Sequence, residues 1–179
     1  MALSSQDAAA ALRDIEKAER LSSTLRGYEI AAPHFIVWGI VWAIGYGLSD
    51  LAPAQANVIW ATVVPIGLVA GFVIARAARG RFAWRHAAMA ATIFVFFCAT
   101  FFVMAPANGR QIAAFIPLVV ATVYVLLGIW VGPRYAVAGI VVAALTLIGF
   151  VLLGEHFFLW MAGVGGGSLV LAGIWLKRA

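Results

Sequence analysis

Residues 56–105 read ANVIWATVVPIGLVAGFVIA, then RAARGRFAWR, then HAAMAATIFVFFCATFFVMA: two apolar runs of twenty residues around a ten-residue segment carrying Arg76, Arg79, Arg81 and Arg85. An α-helix rises about 1.5 Å per residue, so about 20 apolar residues cross the roughly 30 Å of bilayer hydrocarbon. The stretch therefore reads as two membrane spans joined by a short basic loop. Working outward, the same pattern predicts six spans, at 34–51, 56–75, 86–105, 111–131, 135–153 and 156–176.

The basic residues then sort by side. The N-terminal segment, the second and fourth loops and the C-terminus hold Arg13, Lys17, Arg20, Arg26, Arg76, Arg79, Arg81, Arg85, Arg134, Lys177 and Arg178, whereas the other side holds Arg110 alone. This asymmetry predicts that both termini face the cytoplasm. With 65% hydrophobic and 11% charged residues, the chain has too little charge to cover a soluble domain. The net charge of +5 follows loop sidedness rather than forming one patch. Anionic headgroups of the cytoplasmic leaflet, not nucleic acid, are the expected partner. Cys98 is the single cysteine, which excludes an internal disulfide. Ten arginines against two lysines, with abundant alanine, suggest a GC-rich bacterial genome and hence a bacterial inner (plasma) membrane. No cleavable signal peptide is expected, since residues 1–30 have no early apolar core.

Residues 1–30 are expected to form a cytoplasmic helix and linker ahead of the six-span domain, 31–179. The helix is predicted over 5–26, capped by Ser4 or Ser5 and ended by Gly27, with Pro33 opening the first span. Its stripe of mostly small residues, Ala8, Ala11, Ile15, Ala18, Ser22 and Leu25, has little area to bury, so residues 5–26 read as a solvated helix resting on the cytoplasmic face, with a coiled-coil or docking helix for a protein partner as the alternative. In the first span Gly39, Ala43 and Gly47 recur every four residues, a small-residue face suited to close helix packing. Beside it runs a ridge of His34, Trp38, Trp42, Tyr46 and Asp50. Trp84, Trp130 and Trp175 fall near one predicted boundary and Trp60 and Trp160 near the other, where indoles anchor a bundle. Pro65, Pro117 and the glycines at 163, 165, 166 and 167 place a helix weakener inside each even-numbered span. With Ala52-Pro53-Ala54 and Ala105-Pro106-Ala107 in the first two external loops, they fit a weak repeat of three hairpins, and chance similarity in an alanine-rich chain explains the same pattern.

The middles of the spans hold no Asp, Glu, Lys, Arg or His, which argues against a proton relay or an ion-coupled transporter. On the external side Asp50, Arg110, Glu155 and His156 are the ionisable residues, and they form a candidate polar cluster. Asp50, Glu155 and His156 have metal-ligand chemistry but come from only two loops, so a structural charge cluster is favoured over a metal site. His34 and His86 begin spans at the same depth, too shallow for a haem pair. The crowd of Phe94, Phe96, Phe97, Phe101 and Phe102 reads as packing rather than a pigment pocket. No catalytic set, phosphate loop or zinc motif appears, so no enzyme, cofactor or metal is expected. The span count and size resemble those of acetate-uptake transporters and urea/amide channels. The acetate family, however, opens with Asn-Pro-Ala-Pro-Leu-Gly where residues 31–36 are Ala-Ala-Pro-His-Phe-Ile, and no family is assigned. The sequence thus favours a non-enzymatic interaction or regulatory subunit. The alternative is a channel or facilitator for a small neutral solute, lined by Tyr46, Thr62, Thr122 or the glycine cluster. Assembly into homo-oligomers is compatible with either.

Overall fold

The computed structural model describes residues 5–77, 95–105 and 108–178. Helix α1 spans Ser5–Leu51 and leads through a 3-10 turn, Pro53–Gln55, into α2, Ala56–Ala77. Helix α3 spans Val95–Met104, α4 Gly109–Trp130 and α5 Pro133–Leu152. The last span is built from a 3-10 turn, Gly154–His156, a short α6, Phe157–Trp160, a π turn, Met161–Gly165, and α7, Gly166–Lys177. Among the described residues there is no strand. Among the described residues five segments are long and apolar enough to cross a membrane: Ala11–Leu51, Pro53–Ile74, Gly109–Trp130, Pro133–Leu152 and Gly154–Lys177. The chain is an all-α, multi-pass membrane bundle. Of the expected third span, 86–105, residues 86–94 lie outside the described residues, and α3 forms the rest.

The expected stop at Gly27 and the linker over 28–32 are corrected by the structure, because α1 runs unbroken from Ser5 to Leu51. Gly27 serves packing instead of capping. A methyl group there would stand 2.6 Å from Val131 Cγ1, and its carbonyl accepts from the Tyr135 hydroxyl at 3.1 Å. Pro33 lies inside the helix. An interior proline costs about 3 kcal/mol; here the burial of Tyr28, Ala32 and Phe35 on both sides of it holds the helix together.

The core follows a period of 3.5. Along α1 the buried residues Tyr28, Ala32, Phe35, Gly39, Trp42, Tyr46 and Ser49 step alternately by four and three, the pattern of a coiled-coil seam. Helix α7 answers with Gly166, Leu169, Gly173 and Leu176. The two helices run antiparallel. A methyl at Gly173 would stand 2.8 Å from the Ala32 carbonyl oxygen, and one at Gly39 would stand 2.7 Å from the Gly166 carbonyl oxygen. Helices α4 and α5 form a second antiparallel pair, in which Gly128 abuts Ala136 and Gly139 abuts the Ala121 carbonyl. Phe35 joins the pairs by stacking on Tyr124, with ring centroids 4.4 Å apart. Among the described residues, helix α2 packs chiefly on α1, through Gly45 against Trp60 and Gly67 against Val41. Its other side, including Val58, Ile66 and Val69, is exposed, as a lipid-facing helix requires.

Candidate interaction surface

The N-terminal half of α1 projects from the described bundle. All residues from Ala11 to Ser23 are exposed, including Leu12 at 58%, Ile15 at 56% and Leu21 at 59%. Of the expected cap, Ser4 or Ser5, Ser4 lies outside the described residues, as does the side chain of Ser5. Where α1 enters the bundle it is clamped. Gly132 lacks a side chain where Thr24 and the Tyr28 hydroxyl press in. That hydroxyl accepts from the Arg134 backbone N–H at 3.3 Å. The Arg134 guanidinium donates to the Trp175 carbonyl at 2.8 Å and lies 5.0 Å from the Trp175 ring and 5.6 Å from the Tyr28 ring. A cation on the last carbonyls of α7 suits the negative end of that helix. The clamp ties α1, α5 and α7 at one level, so the projecting half extends as a rod from a fixed base. Sequence reasoning missed this clamp. The signal for it was the spacing of seven from Tyr28 to Phe35, Trp42 and Ser49.

The small-residue face divides. Gly39 sits in backbone contact with α7, and a methyl on Gly166 would meet the Ala43 N at 2.8 Å and Cβ at 3.0 Å. Gly47 is looser, with the Ala162 Cβ 3.7 Å from its would-be methyl. Of the ridge beside it, Trp42 and Tyr46 are core, while His34 and Asp50 are only half-buried. His34 Nδ1 lies 3.1 Å from the Ile30 carbonyl oxygen, on its own helix.

At the opposite end of the bundle, the four polar candidates are not joined. Arg110 lies over the Phe150 ring at 5.1 Å, and its Nη1 is 3.8 Å from a would-be methyl on Gly154. Glu155 and His156 are exposed in the turn that follows, and Asp50 is half-buried at the end of α1. Among the described residues no three His, Cys, Asp or Glu side chains come together as a metal site. Gly154 has φ +44, a left-handed conformation that favours glycine.

The polar groups proposed to line a path do not converge. The Tyr46 hydroxyl is spent on the Ala113 carbonyl at 2.6 Å. Thr62 and Thr122 lie exposed on the outsides of α2 and α4 and donate to their own helices, at Val58 and Leu118. Pro65 and Pro117 leave α2 and α4 unbroken. Of the glycine cluster, Gly163 and Gly165 lie in the π turn, closed by the Gly166 N–H on the Met161 carbonyl, and Gly166 and Gly167 open α7. Just before it, the Trp160 indole donates to the Leu145 carbonyl at 2.9 Å, in space that Gly149 leaves open. Trp60 and Trp160 therefore pack between helices, while Trp130 and Trp175 are exposed; Trp84 lies outside the described residues. Phe96, Phe97 and Phe101 gather on Phe115 of α4, and Phe102 is exposed. Phe94 and His86 lie outside the described residues, as do Arg79, Arg81 and Arg85. Ser49 Oγ is buried with no hydrogen-bond partner among the described residues.

No protein-family model matches the chain, and no match was found among curated proteins or solved structures.

Proposed function

We propose that this chain is a non-enzymatic subunit of a bacterial inner membrane, with both ends cytoplasmic, that holds or regulates another protein through the projecting half of α1. The observation that carries the reading is the continuity of α1. One helix is both the central element of the bundle and an uncovered rod beyond it, so a partner gripping the rod is mechanically coupled to the spans. An exposed helix of this length with a mostly small-residue stripe has little reason to be ordered for its own stability. The scatter of Tyr46, Thr62 and Thr122 removes support from the channel alternative. At the base of the rod, the positive charges of Arg26, Lys177 and Arg178 suit contact with anionic headgroups of the cytoplasmic leaflet.

The test is deletion of residues 2–23, which stops short of the clamp at Thr24 and Tyr28. The truncated chain is expected to insert with unchanged thermal stability and to lose a specific co-purifying protein. Intact stability with an unchanged set of co-purifying proteins would overturn the reading. Solute flux through the intact chain in liposomes would favour the channel.

A further inference from the structure

The heptad seam of α1 does not end where the bundle ends. Toward the N-terminus, Ala32 and Tyr28 are followed at the same alternating steps by Leu25, Leu21, Ala18, Asp14 and Ala11. Within the bundle α7 packs on the Ala32 and Gly39 positions of this seam, while Tyr28, Phe35 and Tyr46 meet α4 and α5; α7 stops at Lys177. At that point Leu176 and Lys177 line a cleft to which α1 contributes Ala18, Leu21 and Leu25 together with Ser22, Arg26 and Glu29. The cleft is therefore the open end of the groove that α7 occupies, and it is continuous with an existing helix–helix interface.

Resting on the docking role of this helix, we infer that the cleft takes a helix from a different protein, in line with α7 and antiparallel to α1. Its contact face carries small or leucine residues at heptad spacing, with an arginine or lysine opposite Asp14. The helical form follows from the groove, which already accepts a helix one turn further in. The small residues follow from Ala11 and Ala18, which let backbones approach as Gly39 and Gly166 do. The basic residue follows from Asp14, which occupies a seam position and has no ion pair among the described residues, while Arg13 and Arg20 fall outside the seam register. A second copy fits poorly. Copies in one membrane share an orientation, so their rods would pair in parallel and set Asp14 against Asp14 in the closed seam, a like-charge contact that costs stability.

The experiment places a photo-crosslinking amino acid at Leu21, in the seam, or at Glu16, on the far face, in the full-length chain in the cells that make it. The expected result is a crosslink from Leu21 to one other chain. Its sequenced crosslinked peptide should carry small or leucine residues at steps of three and four and a basic residue in register with Asp14. Asp14→Arg should lower the yield at least tenfold, and reversing the partner's basic residue should restore it. The exposed position of Asp14 keeps the fold out of the comparison. A Leu21 crosslink to a second copy, to lipid only, or to a peptide without this pattern overturns the inference. Crosslinks to another protein from Glu16 alone overturn it and leave the docking role standing. No protein crosslink from either position overturns both.

Discussion

The Tyr46 hydroxyl donates to the Ala113 carbonyl at 2.6 Å, and Ala113 is the residue four before Pro117, whose missing N–H leaves that carbonyl without a helical donor. A side chain on α1 thus completes the backbone of α4 inside the bilayer, where water cannot. The proline that looked like a weakener in a possible conduction path is instead part of the contact joining the two helix pairs.

This relationship predicts a coupling. Tyr46→Phe keeps the ring and removes the donor, which should cost about 1–3 kcal/mol for an unsatisfied buried carbonyl. Pro117→Ala returns an N–H at position 117, so Tyr46→Phe should cost much less in that background. Thermal unfolding of the four combinations in mild detergent measures the coupling. Strictly additive losses would mean that Pro117 and Tyr46 do not share the Ala113 carbonyl.

The two glycines of the small-residue face should respond unequally. A methyl at Gly39 would lie 2.7 Å from a backbone oxygen of α7, whereas one at Gly47 would meet Ala162 at an ordinary 3.7 Å. Gly39→Ala should therefore destabilise by about 1–3 kcal/mol, as overpacking does, and Gly47→Ala should stay within about 0.5 kcal/mol. Equal losses in the same unfolding measurement would contradict this asymmetry.

Hydropathy made the spans legible because a bilayer demands long apolar helices, and it located four of the five long candidate spans closely. The helix packing was half legible. Reading α1 in steps of four selected Gly39, Ala43 and Gly47, but such rows drift around a helix and combine core Tyr46 with half-buried Asp50. The seam steps by four and three, and it carries Tyr28, inside the expected linker, and Phe35, beyond Pro33. Local rules for Gly27 and Pro33 suggested a break there, and tertiary packing against Val131 and Tyr135 overrode them. The polar candidates at the far end were grouped by loop position alone, which cannot show that Arg110 turns to Phe150.

Orientation remains the clearest prediction of the charge pattern. A reporter active only in the cytoplasm, fused after Ala179, should be active, and one inserted near Asn108 should be silent. Neutralising Arg76, Arg79, Arg81 and Arg85 together should weaken this difference, since basic residues near span ends set topology. The reverse activities would overturn the placement of both termini.

The π turn predicts where the bundle tolerates a deletion. On one side of Met161–Gly165, Trp160 is held by the Leu145 carbonyl; on the other, Gly166 is held against Gly39 and Ala43. The turn closes from residue i to i+5 rather than i+4, so it absorbs one extra residue while both contacts stay in register. Gly163 is exposed and its would-be methyl meets nothing. Deleting Gly163 should convert the turn to α-helix and leave both contacts in place, giving a folded bundle. Ile140 in α5 is also exposed, but it lies in regular helix between Gly139, packed on Ala121, and Gly149, packed on Trp160. Deleting Ile140 turns everything beyond it by about 100° and moves Gly149 away from the indole, so that variant should fail to accumulate. Size-exclusion profiles and thermal unfolding of the two deletions decide the matter. Equal loss of folded protein would show that the π turn is required for the bundle and is not an accommodated insertion.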